Sequence, residues 1–479
     1  MGASGNSRLS CTGLCVLLAV AGLCWHWIRF GGDGWFYLAT GRWIWENQAL
    51  PQSNVFAFTT PLQGWSEQKW LACLALYIMD SVAGHQGALA ALSLVAACAL
   101  GLCWASAARR SASPVLSAAL VFLGFFVIRW RLTARGETFG MLLLAAVLYA
   151  VERHRARGGG LGVLWIAPIT GLWANLHGSF YLGALIPAAV LASEALKRVF
   201  RIDGGVLDAG GLRTLGLAAF LAVAAMGAHP MGYGVVGQVL WQLGALHREV
   251  DIWGPLDLHS TPDLWAGIYM GVVWLGLLGS REKVDWADLV LLLPMGFEAV
   301  LSRRFVDPFV LVSLPAAARH WASLLGRLAG VLNGAPLRRG MSAGMAGLGC
   351  AMLIIPASEH LPIPRQAEGA VEHLLAQEVR GNLFNYYTWG GYIIWRGYPS
   401  LKVFIDGRDE LYTNGVFEDY LHVMDARPGW EEILDMYEIE WVLLPNEQGI
   451  VTSLREDHRW EVAYEDAGAI LMRRKGARG

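Results

Sequence analysis

The chain has 479 residues, of which 55% are hydrophobic and 16% charged, with 22 tryptophans, a mean hydropathy of +0.41 and a formal net charge of −2. Soluble domains carry about 25% charged residues, so this composition excludes a disordered chain, a disulfide scaffold and an ordinary soluble enzyme. The near-neutral charge excludes nucleic-acid binding by bulk electrostatics, which leaves a polytopic membrane protein.

Charge divides the chain. Residues 1–356 hold 25 basic and 18 acidic side chains, 12% of that stretch. Residues 357–479 hold 12 basic and 21 acidic, 27% of theirs. The expected domains are therefore a basic transmembrane unit, 1–356, and an acidic water-soluble one, 357–479. Cys11, Cys15, Cys24, Cys73, Cys98, Cys103 and Cys350 all lie in apolar stretches of the first unit. They read as small buried hydrophobes and not as a disulfide framework.

A bilayer core takes about 20 apolar residues per helix. In chain order the candidate spans are 11–28, read as an uncleaved first span, then 87–107, 114–128, 139–151, 161–176, 179–196, 212–228, 264–279, 286–301, 305–318 and 343–355. Segment 70–82 is shorter and carries Trp70, Tyr77 and Asp80. Read as a span, it would put Arg109, Arg110, Arg153, Arg155 and Arg157 outside, against the positive-inside rule. Read as an interfacial helix, it leaves every basic loop on one side. The expectation is eleven spans, a cytoplasmic N-terminus and an extracytoplasmic C-terminal domain.

That topology gathers the polar motifs on the outer face. The first outer loop opens with Asp33, a carboxylate that is costly at a membrane surface without a partner. An N-cap role and a salt bridge to Arg42 are its structural alternatives. A helix bearing Trp35, Phe36, Trp43 and Trp45 follows, ended by Pro51, and a second helix begins near 66–67. Trp35 and Trp65 offer faces for a sugar. The next outer segment presents Arg129, Arg131, Arg135 and Glu137. Topology does not explain three outward arginines, and guanidiniums suit a lipid phosphate. Glu137 either pairs with one of them or stands with Asp33 as a second carboxylate. The turn WANLHGSF holds Asn175 and His177, as headgroup contacts or as local hydrogen-bonding residues. Arg303 and Arg304 are adjacent, so at most one points at a given site. The loop 229–263 predicts an interfacial helix over 235–249, followed by Asp251, Trp253 and His259, either as a gate or as a cap of the bundle.

In the C-terminal domain NLFNYY, KVFID, WVLLP, EVAY and AILMRR predict strands. EGAVEHLLAQEV, GVFEDYLHVMDA and GWEEILDMYEI predict helices. The alternation predicts a small α/β domain with a mainly parallel sheet. Gly390-Gly391 is either an anion-binding helix start or a tight packing turn. Asp406-Gly407-Arg408 closes a predicted strand, where ligand loops of open α/β sheets lie. Asp406, Arg408 and Tyr386 are therefore expected to contact substrate.

The motifs D-x-W-x-x-L-A-x-G-R-x-I (33–44), P-x-x-x-x-F-x-F-T (51–59), W-A-N-L-H-G (173–178), W-G-G-Y-x-I-W (389–395) and V-F-I-D-G-R (403–408) run along the whole chain. With the acidic residue just after the first span, the chain resembles the GT-C superfamily of integral-membrane glycosyltransferases. It looks most like a large bacterial family of such proteins with little assigned chemistry, with distant similarity to protein mannosyltransferases, aminoarabinose transferases and oligosaccharyltransferases. The resemblance implies a GT-C-like fold with two interfacial helices in the first outer loop. It also implies transfer of a sugar from a polyprenyl-phosphate-linked donor to a lipid, glycan or protein acceptor on the outer face of a bacterial inner membrane.

Under the resemblance Asp33 acts as base or metal ligand. Glu137 joins it around a divalent cation, Mg or Mn, if the reaction is metal-dependent. Arg129, Arg131, Arg135, His177, Arg303 and Arg304 hold the donor phosphate. Trp35, Arg42, Trp65, Asn175, Tyr386, Asp406 and Arg408 contact donor or acceptor. The W-W-D-Y-G motif of oligosaccharyltransferases corresponds here to Tyr387-Thr388-Trp389-Gly390-Gly391, without its acidic residue. The rival reading is a non-catalytic transporter or assembly factor for surface polysaccharide. The two halves show no repeat of the kind transporters carry.

Overall fold

The computed structural model describes residues 2–61, 64–202, 207–245, 254–326, 334–354, 365–377, 381–412 and 415–476. They form two compact units. The first comprises Met1–Ile28, Leu89–Leu132 and Gly136–Ser358; the second comprises Arg29–Ala88, Thr133–Arg135 and Glu359–Gly479. This differs from a single division at 357. The segment Arg29–Ala88 folds with the C-terminal chain, where Gly32 and Gly391 let backbone meet backbone.

The first unit is helical: α1 (Gly2–Trp27), the second leg of α3 (Trp70–Ser111), α4 (Pro114–Ile128), α5 (Gly136–Ala156), α6 (Ile166–Ala174), α7 (Leu182–Val199), α8 (Ala209–Ala225), α9 (Gly234–Ala245), α10 (Thr261–Gly279), α11 (Trp286–Leu301), α12 (Val306–Leu325) and Ala335–Ile354. Each of the eleven predicted span segments coincides with one of these helices. Among the described residues four helical stretches are long and apolar enough to cross a membrane: Trp70–Ser111, Pro114–Arg131, Gly178–Val199 and Thr261–Gly279.

Boundaries follow local chemistry. Asp208 accepts from the Gly211 N–H and Asp285 from the Ala287 N–H, capping α8 and α11, while Pro114 starts α4. The turns Leu161–Trp165 and Gly178–Tyr181 are 3₁₀ and lead into α6 and α7. α1 and Ala335–Ile354 pack through glycines: a Cβ on Gly349 would lie 2.5 Å from the Leu18 carbonyl oxygen, and one on Gly22 2.9 Å from that of Gly349. Large apolar side chains face outward, among them Phe220, Leu278 and Phe297, 69%, 84% and 64% exposed.

α3 is two helices joined at Gly84, whose φ of +68° breaks the helical run. Its first leg is the segment predicted as interfacial. The chain passes from the second unit to the first between Ala88 and Leu89. The helix predicted at 235–249 is described only as Gly234–Ala245; its end, with Asp251 and Trp253, lies outside the described residues.

In the second unit α2 (Gly32–Asn47) packs on the helix Gly390–Gly397. A four-stranded sheet has the order β1 (Asn382–Asn385), β2 (Ile439–Pro445), β4 (Ala469–Arg474), β3 (Trp460–Glu465). Only β1 and β2 are parallel; β2–β4 and β3–β4 are antiparallel. The expected mainly parallel sheet is thus corrected to a mixed one. β3 and β4 are joined by a tight turn in which Asp466 accepts from the Gly468 and Ala469 N–H groups, and so short a connection allows only antiparallel pairing. The predicted strand KVFID is also absent. It makes only isolated bridges, with Val403 between Leu383 and Ala57.

Candidate functional site

In the second unit the site is built around the start of α2. Asp33 lies in the first turn of that helix, its side chain 41% exposed. Residues 133–135 run beside Arg29: Arg29 and Thr133 form a parallel bridge, and the Ala134 N–H donates to the Arg29 carbonyl at 2.8 Å. This pairing brings Arg135 to Asp33, where its Nη1 donates to Oδ2 at 3.1 Å. The other oxygen lies against Gly407, where a Cβ would sit 2.5 Å from Oδ1. The glycine of D-G-R therefore makes room for the carboxylate. Gly391 similarly lets its chain approach the Gly32 carbonyl, and Gly390 that of Ile405. The Gly-Gly pair is a packing turn and not an anion cradle.

Four residues expected to contact substrate in this unit are interior instead. Asp406 and Arg408 are 0% and 1% exposed. Arg408 donates through Nε to Asp406 Oδ1 at 2.7 Å and through Nη2 to Oδ2, where the Tyr412 hydroxyl also donates, at 2.7 Å. The guanidinium lies among the Trp65, Phe36 and Phe56 rings, with centroids at 4.7, 5.3 and 5.3 Å. Trp65 is thus the wall of this cage. Trp35 is buried, stacked on Phe30 and edge-on to His85 and Tyr392. Arg42 donates to the Trp395 carbonyl at 3.0 Å and covers that ring, and so does not reach Asp33. Tyr386 is half-buried, edge-on to Trp389.

Two further residues carry chemistry that the sequence did not single out. The Tyr387 hydroxyl donates to Asp409 Oδ1. Burial pushes the Asp409 carboxyl up to about 7; the hydrogen bond from Tyr387 opposes this, and the nearby Glu410, Asp33 and Asp406 charges add to it. Burial and the adjoining Asp409 push the Tyr387 phenol up as well. The sequence signals were positional: Asp409 stands directly after the D-G-R motif, and Tyr387 opens the stretch that corresponds to W-W-D-Y-G.

The first unit holds a separate, narrow pocket at the start of α5, with a volume of about 50 Å³. Its apolar wall includes Met141, Leu144, Leu182, Val239 and Leu311. Its polar end has Glu137, His177, Ser179, Arg304 and Asp307. Arg131 clamps that end, donating to Glu137 and, through Nε at 2.7 Å, to Asp307 Oδ2. The Ser179 N–H donates to His177 Nδ1 at 3.3 Å, which places the ring proton of a neutral imidazole on Nε2. Gly140 leaves space for this ring: a Cβ there would lie 3.1 Å from Nδ1.

Glu137, His177 and Arg304 thus meet, while three other expected contacts do not. Arg303 turns to Asp263, Nε to Oδ2 at 2.7 Å. Arg129 is packed among Trp27, Phe126 and Trp130. Asn175 donates to the Gly171 and Ala228 carbonyls, tying α6 to the end of α8. Asp307, three residues after Arg304, was missed, although an acid in the first turn of a helix beside arginines was a readable signal.

No protein-family model matches the chain, and no curated protein does. Solved structures do. An oligosaccharyltransferase of Archaeoglobus fulgidus, tethered to an acceptor peptide with an NVT sequon, aligns with TM-score 0.60 and 12% identity over 92% of this chain and 69% of its own. The same organism's AglB, in complex with an inhibitory peptide and a dolichol-phosphate, gives 0.61 and 12% over 93% and 70%. ArnT of Cupriavidus metallidurans, bound to undecaprenyl phosphate, gives 0.55 and 14% over 98% of both chains. This chain shares the fold of these solved structures. In it, however, the carboxylates expected for a divalent cation already face guanidiniums, Asp33 that of Arg135 and Glu137 that of Arg131. Among the described residues no three His, Cys, Asp or Glu side chains gather as a ligand set. With their carboxylates committed to arginines, Asp33 and Glu137 do not fit a divalent cation.

Proposed function

We propose that this chain is a membrane glycosyltransferase. It takes a sugar from a polyprenyl-phosphate-linked donor and attaches it to a lipid, glycan or protein acceptor on the outer face of a bacterial inner membrane. The proposal includes eleven spans, a cytoplasmic N-terminus and an outward second unit. The observation that carries it is the half-exposed Asp33 carboxylate, oriented by Arg135 and given room by Gly407. The amphiphilic pocket of the first unit supports it, since an apolar wall ending in Arg304 and His177 suits a lipid phosphate. The lipid phosphates bound to the AglB and ArnT neighbours support it further.

The acceptor's hydroxyl or amide forms a bond to the anomeric carbon as the bond from that carbon to the phosphate oxygen breaks. Asp33 takes the acceptor's proton, and the lipid phosphate leaves with the electron pair. Within the first unit, Arg304 and His177 are the groups suited to holding a lipid phosphate.

The test uses purified protein in proteoliposomes with a labelled lipid-linked sugar. Asp33→Asn is expected to lower transfer about 10²–10⁴-fold with binding of undecaprenyl phosphate unchanged. Arg304→Gln is expected to weaken that binding about tenfold or more. Full transfer by Asp33→Asn overturns the assignment. Movement of the intact lipid-linked sugar without transfer favours a transporter.

A further inference from the structure

The C-terminal end of α5 carries a second cavity that the reaction does not use. α5 has 21 residues, roughly 30 Å of helix, which is about the thickness of a hydrocarbon core. The pocket at its start and the cavity at its end therefore belong to opposite membrane interfaces. The cavity has a volume of about 370 Å³. Leu102, Ala146, Ala150, Val163 and Ile169 form its apolar wall; Tyr149, Arg153, Arg157 and Trp165 form its rim.

Charge at this end of the bundle is sorted. Arg110, Arg155 and Lys197 are matched by Glu152, Glu194, Asp285 and Asp288, with Arg110 to Asp288 at 2.6 Å, Arg155 to Asp285 at 2.6 Å and Lys197 to Glu194 at 2.7 Å. Among the described residues Arg109, Arg153 and Arg157 make no ion pair with a carboxylate. Arg153 and Arg157 line the cavity, and Arg109 contacts its lining residue Tyr149. Arg109 covers the Tyr149 ring at 4.7 Å. The Tyr149 oxygen accepts from Arg109 at 2.6 Å and from Arg153 at 3.3 Å, so its own O–H is left to donate. His154 holds the glycine turn closing the cavity, with its ring nitrogens 3.0 Å from the Gly160 and Gly211 carbonyl oxygens. Trp165 and Leu161, 69% and 74% exposed, stand beside it as interfacial anchors.

We propose that this cavity seats an anionic phospholipid of the leaflet at the C-terminal end of α5. Its phosphate lies on Arg153, Arg157 and the Tyr149 hydroxyl, and an acyl chain runs along the Leu102–Ala150 wall. The inference rests on the membrane reading of the first unit and is independent of sugar transfer. An anionic lipid complements the two lining arginines, Arg153 and Arg157, whereas a zwitterionic lipid would leave their charge in place.

Native mass spectrometry of the full chain in nanodiscs holding equal phosphatidylglycerol and phosphatidylcholine tests this without any sugar donor. Wild type is expected to retain phosphatidylglycerol about tenfold over phosphatidylcholine. Each of Arg153→Gln and Arg157→Gln should lower that preference about fivefold, with the melting temperature as the folding control. Ala150→Phe, which fills the wall and leaves the charges, should lower retention of both lipids at this site. Equal retention of the two lipids by wild type, or an unchanged preference in the double arginine variant, overturns the proposal. Full displacement of the lipid by millimolar inorganic phosphate also overturns it, in favour of a soluble anion.

Discussion

Arg408→Met isolates the buried pair behind the Asp33 site. It removes a guanidinium 1% exposed and leaves Asp406, fully buried, with only the Tyr412 hydroxyl and the Arg408 backbone N–H as donors. Removing one partner of a buried ion pair costs about 3–5 kcal/mol, because the remaining charge is left uncompensated. Methionine restores part of the contact with Trp65, Phe36 and Phe56 but not the cation–π attraction. For a unit of this size about 2–4 °C of melting temperature is lost per kcal/mol, so the expected fall is roughly 6–20 °C. The assay is thermal unfolding in detergent followed by tryptophan fluorescence. Asp406→Leu combined with Arg408→Met should recover most of the loss, since well-packed apolar replacements of a buried pair are often near neutral. A single variant within about 1 kcal/mol of wild type, or a double variant as damaged as the single, would refute the reasoning.

Two other predictions follow from the same unit. With the Asp409 carboxyl pushed up to about 7, the folded chain holds a proton that the unfolded chain releases near pH 4. Stability from this group is present at low pH and lost as pH rises through about 7. Asp409→Asn should therefore flatten the fall in melting temperature between pH 4.5 and 8; an unchanged slope contradicts the assignment. Gly391→Ala drives a methyl into the Gly32 carbonyl and should cost about 1–3 kcal/mol. Gly449→Ala, whose Cβ would meet nothing within 4 Å, should be near neutral. The two are compared by melting temperature, and equal effects would contradict the close-approach argument.

Much of the helical architecture was legible, because long apolar runs bounded by Asp, Ser, Pro and basic residues have few alternatives. The break at Gly84 was also legible, from a segment too short and too polar to continue as a span. The sheet was not. A strand pattern does not state its direction, and only the Asp466–Gly468 turn revealed the antiparallel hairpin. Asp33 with Arg135, and Glu137 with His177 and Arg304, stood out in the sequence because acid and base lay where topology did not require them, and the structure brings the members of each group together. Trp35, Trp65, Asp406 and Arg408 were misplaced for a physical reason. Aromatic and charged side chains that bind a sugar have the same composition as those that bind one another in an aromatic cage. Only burial separates the two. The joining of residues 133–135 to Arg29, which sets Arg135 on Asp33, depends on backbone pairing across a hundred residues and leaves no local pattern.

The central claim is sugar transfer from a lipid phosphate by a reaction that needs Asp33. Its most direct measurement is the fate of label from a purified polyprenyl-phosphate-linked sugar incubated with wild-type protein and with Asp33→Asn in the same vesicles. The account predicts label on an acceptor and free polyprenyl phosphate with wild type, both reduced at least about 10²-fold in the variant. Equal release and transfer by the two proteins would contradict it.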